Sequence, residues 1–230
     1  DAMIAALVLG SLHGECDKSA SYFSNQMPRT ISTKPAYSVR FWEERGLLPP
    51  ERCVFSILRQ RLTFRYETAP AEGTCDVYNT DMRLLPRLVQ ERSVDCVITS
   101  PPYLDVTNFE EDQWLRLWFL GGPDVPTRNR LSRDDRHTWS ERYWRFIGDM
   151  WRTLGQVVSK RGDVVVRIGC RRVAPEELAS TLVGSSVFSG RRIELVETRQ
   201  SDLGRRQTDA FRPGSLGCLV EVDCHFAFLN

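Results

Sequence analysis

The sequence predicts an α/β domain in which short buried strands alternate with helices. The runs Val94–Ile98 and Asp163–Ile168 have the length of buried strands, and the second is rich in β-branched residues. Two further strand-like runs, Ile193–Thr198 and Cys218–Phe226, flank one long polar loop. We therefore expect these last two strands to form an antiparallel pair at the end of the sheet.

The amino-terminal part of the chain is predicted to be helical and irregular. Residues 2–13 are apolar nearly all round and are expected to form a buried helix, and residues 51–62 are expected to form a second helix. Several prolines between them predict an irregular segment over residues 20–50. Within it, residues 25–30 and 34–38 form either ordered, site-facing loops or plain surface connections.

Further elements are predicted in the carboxyl-terminal part. A strand is expected at residues 75–79. Helices are expected after it, from apolar spacing, capping residues and a proline at a first turn. Two of these helices are expected at 82–90 and 108–120. A third begins at the capping box 138–141 and ends at 160–162, and a short fourth one begins at Pro175.

Composition and charge exclude several classes of protein. The chain has 230 residues, 41% of them hydrophobic, which is enough to bury a core. No apolar run approaches the roughly 18 residues of a membrane-spanning helix, so we expect no membrane partner. Seven cysteines without a Cys-x-x-Cys pair argue against a disulfide framework or a zinc site, and we expect a reducing, cytoplasmic location.

The charge balance alone does not indicate a nucleic-acid partner. The net charge is +1, which gives no global attraction to a polyanion. The basic residues are nearly all arginines, and arginine suits contacts to phosphate and to guanine. A GC-rich genome would produce the same excess of arginine, so the pattern leaves both explanations open.

The most informative stretch is Asp95–Tyr103, which reads DCVITSPPY. The predicted strand stops at Thr99-Ser100, and two prolines follow at once. Because proline cannot donate to a sheet ladder, the chain leaves the sheet there as a stiff loop. The loop carries a hydroxyl, an outward carbonyl and an aromatic ring at the carboxyl end of a strand. In open α/β sheets, ligands bind at that end.

The run Thr99-Ser100-Pro101-Pro102-Tyr103 resembles the catalytic motif of the S-adenosylmethionine-dependent amino-methyltransferases that act on DNA. The family pattern is Asp/Asn/Ser-Pro-Pro-Tyr/Phe, and the Ser form is commonest among the cytosine-N4 enzymes. Upstream, residues 77–82 resemble the family's preceding strand and acidic turn. The resemblance covers about residues 75–110 strongly and 140–226 loosely. It implies a Rossmann-like class I methyltransferase sheet with helices on both faces and a C-terminal antiparallel hairpin.

The resemblance implies a division of the chain and a set of roles. Residues 1–70 would be an N-terminal extension or insertion, and residues 71–230 would be a portion of the catalytic domain. Ser100, Pro101, Pro102 and Tyr103 would be catalytic. Asp81, Met82 and Thr99 would contact S-adenosylmethionine, although Asp81 also fits a helix cap. Double-stranded DNA would be contacted by Arg199, Arg205, Arg206 and Arg212 of the long polar loop, which could equally be a solvated loop.

The implied chemistry explains these residue types. An exocyclic amino nitrogen is a poor nucleophile because its lone pair is delocalised into the base. The Ser100 hydroxyl and the Pro101 carbonyl could accept its two hydrogens, which would let the nitrogen attack the sulfonium methyl directly. Tyr103 would stack on the target base, which must first be flipped out of the duplex.

One part of the family pattern is missing. The family's glycine-rich cofactor loop, Asp-Pro-Phe-x-Gly-x-Gly-Thr, does not occur in the chain. In the family sheet, the strands of that region lie between the strand that ends at Asp81 and the one that ends at Ser100. We therefore expect the chain to be incomplete at its N-terminus, so that a missing N-terminal part or a partner chain supplies the loop.

Three functional hypotheses follow. The first is a site-specific DNA methyltransferase acting on cytosine N4, as in restriction–modification systems. The second keeps the chemistry but moves it to adenine N6 in DNA or to an RNA base. The third is a non-catalytic nucleic-acid-binding subunit that has lost the cofactor loop. The recognition sequence, a restriction partner and the oligomeric state do not follow from the sequence.

Overall fold

A computed structural model describes residues 2–14, 21–27, 35–69, 73–104, 113–126, 140–170, 173–202, 218 and 220–229. The chain divides into two compact units. The first comprises Asp1–Cys75, Asn108–Arg130 and Arg206–Gly214, and the second comprises Asp76–Thr107, Leu131–Arg205 and Ser215–Asn230. Within the described residues, no helix is both long and apolar enough to cross a bilayer.

The first unit contains helices α1 (Ala2–Ser11), α2 (Pro35–Arg45), α3 (Val54–Arg65) and α4 (Trp114–Phe119). The irregular segment predicted at 20–50 is wrong over α2, which takes in four of the five residues 34–38 that were expected to form a loop. Its first residue is Pro35, and a proline in the first helical turn loses no hydrogen bond because that N–H would be unpaired anyway.

Helix packing in this unit is one-sided. Helix α1 is not buried all round as predicted, because Leu7 and Ser11 are buried while Met3 and Ile4 are exposed. In α3, Ile57 is the one buried residue of the predicted apolar face. The predicted helix 108–120 is described from residue 113 onward, where α4 has no buried residue. Apolar periodicity alone therefore overestimates the core of this unit.

The second unit is built on a mixed four-stranded sheet of β1 (Val94–Thr99), β2 (Val158–Gly169), β3 (Ile193–Asp202) and β4 (Val220–Phe228). The strand order is β1-β2-β4-β3. Strands β1 and β2 are parallel, and β4 runs antiparallel to both β2 and β3. The predicted α/β class and the C-terminal antiparallel pair are confirmed.

Helices α5 (Ser140–Val157) and α6 (Pro175–Ser185) cover one face of this sheet. The fully buried Trp151 of α5 meets Phe226 of β4 edge-on, with ring centroids 5.0 Å apart. Its indole N–H donates to the Ser185 hydroxyl at 2.8 Å. In the described part of this unit, the core lies on the sheet face that α5 and α6 cover. The helices that were predicted on the opposite face are not observed among the described residues.

Two predicted elements of the second unit are wrong. The strand expected at 75–79 does not form: the segment has no sheet partner among the described residues, and Val77 is 88% exposed. A strand exists only where a neighbour takes its backbone hydrogen bonds.

The predicted helix end at 160–162 is also wrong, because α5 ends at Val157 and these residues lie in β2. The Arg191 guanidinium donates to the carbonyls of Val158 and Ser159 at 2.6 and 3.0 Å. These backbone oxygens are therefore already bound in the non-helical conformation.

Candidate active site

The candidate site begins where β1 ends. The pairing of β1 with β2 ends at Thr99, whose partner is Val166. The double proline predicted this end of the strand. The chain then leaves the ladder, and Leu104 returns to it through a parallel bridge to Cys170. Residues 100–103 are therefore a short excursion that is tied to the sheet on both sides.

Exposed residues alternate with buried or half-buried ones along residues 100–103. Ser100 and Pro102 are exposed, Pro101 is buried and Tyr103 is half-buried. Ser100 is exposed, and its side chain also makes a hydrogen bond with Tyr103. A serine in this setting can offer its oxygen to an incoming ligand.

Ser100 opens onto a cavity of about 650 Å³, within the usual size range of small-molecule sites. The cavity lies on the sheet face opposite the core, because its β2 and β4 residues alternate with the buried ones along each strand. Its lining combines apolar and charged side chains from all four strands: Ile98, Thr99, Ser100, Val165, Arg167, Glu197, Arg199, Asp223 and His225.

The cavity brings together some of the predicted site residues. Thr99, Ser100 and Arg199 line it. Asp81 and Met82 do not. The other predicted DNA-contacting residues, Arg205, Arg206 and Arg212, lie outside the described part of the chain.

Asp81 has the structural role that the sequence left open. Its carboxylate accepts the backbone N–H of Arg83 at 3.0 Å and caps a 3₁₀ helix over Met82–Arg87, where a helix over 82–90 was predicted. The same carboxylate binds the Arg83 guanidinium at 2.9 and 2.6 Å. The capping prediction is confirmed, and a contact with a cofactor stays a prediction.

A chain of polar contacts runs from the excursion into the sheet. The Tyr103 hydroxyl donates to the Glu221 carboxylate at 2.7 Å. The other oxygen of Glu221 lies 3.4 Å from the Arg167 guanidinium. This guanidinium also forms a bidentate salt bridge with Asp223, in which both hydrogen bonds are 2.7 Å long. Tyr103 is thereby joined to side chains of β2 and β4.

Electrostatics keep the Tyr103 phenol protonated. Burial first, and the hydrogen bond to Glu221 second, raise the pKa of Tyr103 to about 12, while a hydrogen bond with Ser100 acts in the opposite direction. The Arg167 guanidinium lowers the pKa of Asp223 through their hydrogen bonds. Around neutral pH, Tyr103 is therefore a neutral donor beside a carboxylate.

The basic side chains that line the cavity already have partners. Arg199 donates to Glu197 at 2.7 Å, and both side chains are largely exposed. Such a surface pair contributes little to stability, so an anionic ligand could displace Glu197. His225 lies 2.8 Å from Asp163. Within the described ranges, no cluster of three or more His, Cys, Asp or Glu residues could hold a metal ion.

Several residues of this site were not predicted from the sequence. Arg167, Glu221, Asp223 and His225 lie on strands whose buried positions are apolar, such as Val222 and Cys224. The signal that could have found them is the alternation itself. Polar and ionisable residues at every second position of a strand next to the Ser-Pro-Pro-Tyr motif mark the face of the sheet that is open to solvent.

The chain matches no protein-family model, and no curated protein is significantly similar to it.

Proposed function

We propose that this chain carries the catalytic part of an S-adenosylmethionine-dependent DNA methyltransferase that modifies the amino group of cytosine at N4. The observation that carries the proposal is the setting of Ser100. It is exposed at the carboxyl end of a sheet strand, opens onto the cavity, and stands three residues before an anchored tyrosine. These are the features that the Ser-Pro-Pro-Tyr resemblance requires.

The sheet supports a Rossmann-like class I fold as part of the proposal. The antiparallel pair lies at one end of the sheet, and β1 forms the other end. In the described residues, β1 has β2 as its sole strand partner, which leaves one edge open. We propose that the strands of the cofactor region add at this edge and come from a missing N-terminal part or from a partner chain.

The described residues do not by themselves form a cofactor site. Thr99 lines the cavity, but Asp81 and Met82 do not, and the Asp81 carboxylate is already bound to Arg83. S-adenosylmethionine, if bound with the help of strands added at the open edge of β1, would supply the methyl group. The roles derived for this chain concern the target base alone.

The chain's own residues act on the amino group of the base. The Ser100 hydroxyl and the Pro101 carbonyl accept its two hydrogens, which turns the nitrogen lone pair out of conjugation with the ring. Proline at position 101 helps because its φ is fixed and it has no N–H to compete. Tyr103 provides an aromatic surface for the flipped base.

Double-stranded DNA is the proposed partner of the exposed cavity rim. Arg199 lies at that rim, and its exposed pair with Glu197 can open in favour of a phosphate. Arg199 lies in β3 and not in the loop where it was predicted. Arg205, Arg206 and Arg212, which follow β3 in sequence, are proposed to contact phosphates or base edges. Arginine suits both kinds of contact because its planar donors match phosphate and guanine.

Nucleoside analysis tests the proposed function directly. The protein is expressed from its complete reading frame in a host that lacks DNA methylation. The DNA and RNA of the host are then digested to nucleosides, which are measured by mass spectrometry. We expect N4-methyl-deoxycytidine, and its loss in a Ser100→Ala strain. N6-methyl-deoxyadenosine or a methylated ribonucleoside would move the target to another base. DNA binding without any methylated nucleoside would support the binding-subunit hypothesis.

Replacing Asp81 separates its cap from its proposed cofactor contact. We expect Asp81→Ala to weaken S-adenosylmethionine binding by about 1–3 kcal/mol, the scale of a lost buried hydrogen bond, as measured by calorimetry on the complete protein. Asp81→Ser is the control, because serine can still cap the 3₁₀ helix but cannot reach as far. If both variants bind the cofactor like the wild type, Asp81 is a cap alone.

A further inference from the structure

The ring of Tyr103 is held at two points by residues outside the motif. Its hydroxyl donates to Glu221 at 2.7 Å. The Cδ2–Cε2 edge of the ring lies against Gly169, so closely that a Cβ on Gly169 would come within 3.0 Å of both ring atoms and 2.5 Å of the Cys218 sulfur. A contact at the para position and another along one edge restrict rotation of the ring.

Glu221 is itself held in place. It lies on β4, and its side chain is only 15% exposed. The oxygen that does not contact Tyr103 faces the Arg167 guanidinium at 3.4 Å, and Arg167 is fixed in turn by its pair with Asp223. The acceptor that Tyr103 meets is therefore attached to two adjacent strands of the sheet, β2 and β4.

We infer that Glu221 is a positioning residue that fixes the ring of Tyr103 in the orientation that receives the target base. This inference rests on the proposed function. Glu221 acts through Tyr103 and has no contact with the reacting atoms. Gly169 completes the arrangement, because a Cβ at this position would clash with the Cys218 sulfur and crowd the ring of Tyr103.

A spectroscopic titration tests the contact without relying on methyl transfer. Tyrosine labelled at the carbon next to its hydroxyl is incorporated, and the signal of Tyr103 among the six tyrosines is assigned with Tyr103→Phe. Between about pH 9 and 11, the wild-type Tyr103 signal should remain that of the neutral phenol, since its pKa is about 12. Circular dichroism over the same range shows that the protein stays folded.

Two variants of Glu221 are compared with a control. In Glu221→Gln and Glu221→Ala, the lost carboxylate charge should lower the pKa of Tyr103, so that its ionised form appears within the titrated range. Glu194→Ala is the matched control, because Glu194 is exposed on β3 and its partner Ala227 lies at the other end of β4 from Glu221. Tyr143, whose pKa is raised by burial and further by the charges of Cys170 and Tyr103, should stay neutral over the same pH range in every variant.

Kinetics distinguish positioning from a merely structural role. Glu221→Ala should lower kcat for methyl transfer by about 10-fold to 100-fold, because the ring is no longer oriented, while KM for S-adenosylmethionine stays unchanged. Glu221→Gln keeps an acceptor for the Tyr103 hydroxyl and should recover most of kcat. An unchanged Tyr103 pKa in both variants, or equal kcat losses in both, would overturn the inference. If the wild type transfers no methyl group, the proposed function fails, while the titration still decides the contact.

Discussion

Replacement of Ser100 by alanine should lower the proposed methyl transfer by about 10²-fold or more, because the hydroxyl that we propose as an acceptor for the amino hydrogens is lost. Loss of a single transition-state hydrogen bond has this scale in other enzymes. DNA affinity should hardly change, since the Ser100 side chain is a small part of the exposed rim. Single-turnover transfer from labelled S-adenosylmethionine, measured with the complete protein, gives the rate, and a binding titration gives the affinity.

Ser93→Ala is the control for this substitution. Ser93 precedes β1, is exposed like Ser100, and uses its hydroxyl for a local bond to the Gln90 carbonyl at 2.8 Å. Its removal should leave the transfer rate within experimental error. A wild-type rate for Ser100→Ala would contradict the catalytic role of this residue. A similar loss in both variants would point instead to general damage around β1.

Replacement of Trp151 by alanine should destabilise the second unit by about 3–5 kcal/mol, the usual cost of removing a large aromatic side chain from a core. Trp151 is fully buried, packs edge-on against Phe226 and donates to Ser185. Its loss leaves a cavity between α5 and the sheet and removes the donor to a buried hydroxyl. Urea unfolding followed by circular dichroism measures the change in the free energy of unfolding.

Val187→Ala in the same unit is the control. Val187 is 71% exposed, and surface truncations of this kind usually change stability by less than about 0.5 kcal/mol. Comparable losses in the two variants would show that the packing of α5 on β4 does not govern the stability of this unit. An unchanged slope against urea would indicate that the unfolded states of the variants and the wild type are equally exposed.

The elements that the sequence predicted well are those whose pattern reflects burial on one face. Helix α5 places Tyr143, Ile147 and Trp151 at helical spacing, and all three are buried. Strand β1 was predicted because its end is marked by two prolines, a local signal, but its predicted burial is wrong, since none of its residues is buried. These features depend on neighbours in sequence, so a periodic pattern is enough to find them.

The elements that failed depend on distant parts of the chain. Residues 75–79 have a strand-like composition, but no described strand lies beside them to take their hydrogen bonds. The basic pair and glycine at 160–162 are a common helix end, but Arg191 binds the carbonyls just before them. Neither effect can be read from a local pattern.

The candidate site likewise combines residues found from a local motif with residues that only distant strand pairing brings together. Ser100–Tyr103 were found from a contiguous motif. Glu221, which binds the Tyr103 hydroxyl, is 118 residues further along the chain, and only the pairing of β2 with β4 brings it to the loop. A strand glutamate next to apolar residues has no local feature that identifies its partner.

The double proline has a thermodynamic consequence for binding. Residues 100–103 leave the sheet at Thr99 and rejoin it at Leu104, and two of the four cannot rotate freely about φ. Such a segment has few conformations to lose when a ligand arrives, because most of its conformational entropy is already lost in the folded protein and restricted even in the unfolded chain. Contacts with a ligand can then contribute to affinity and selectivity without first offsetting the cost of ordering the loop.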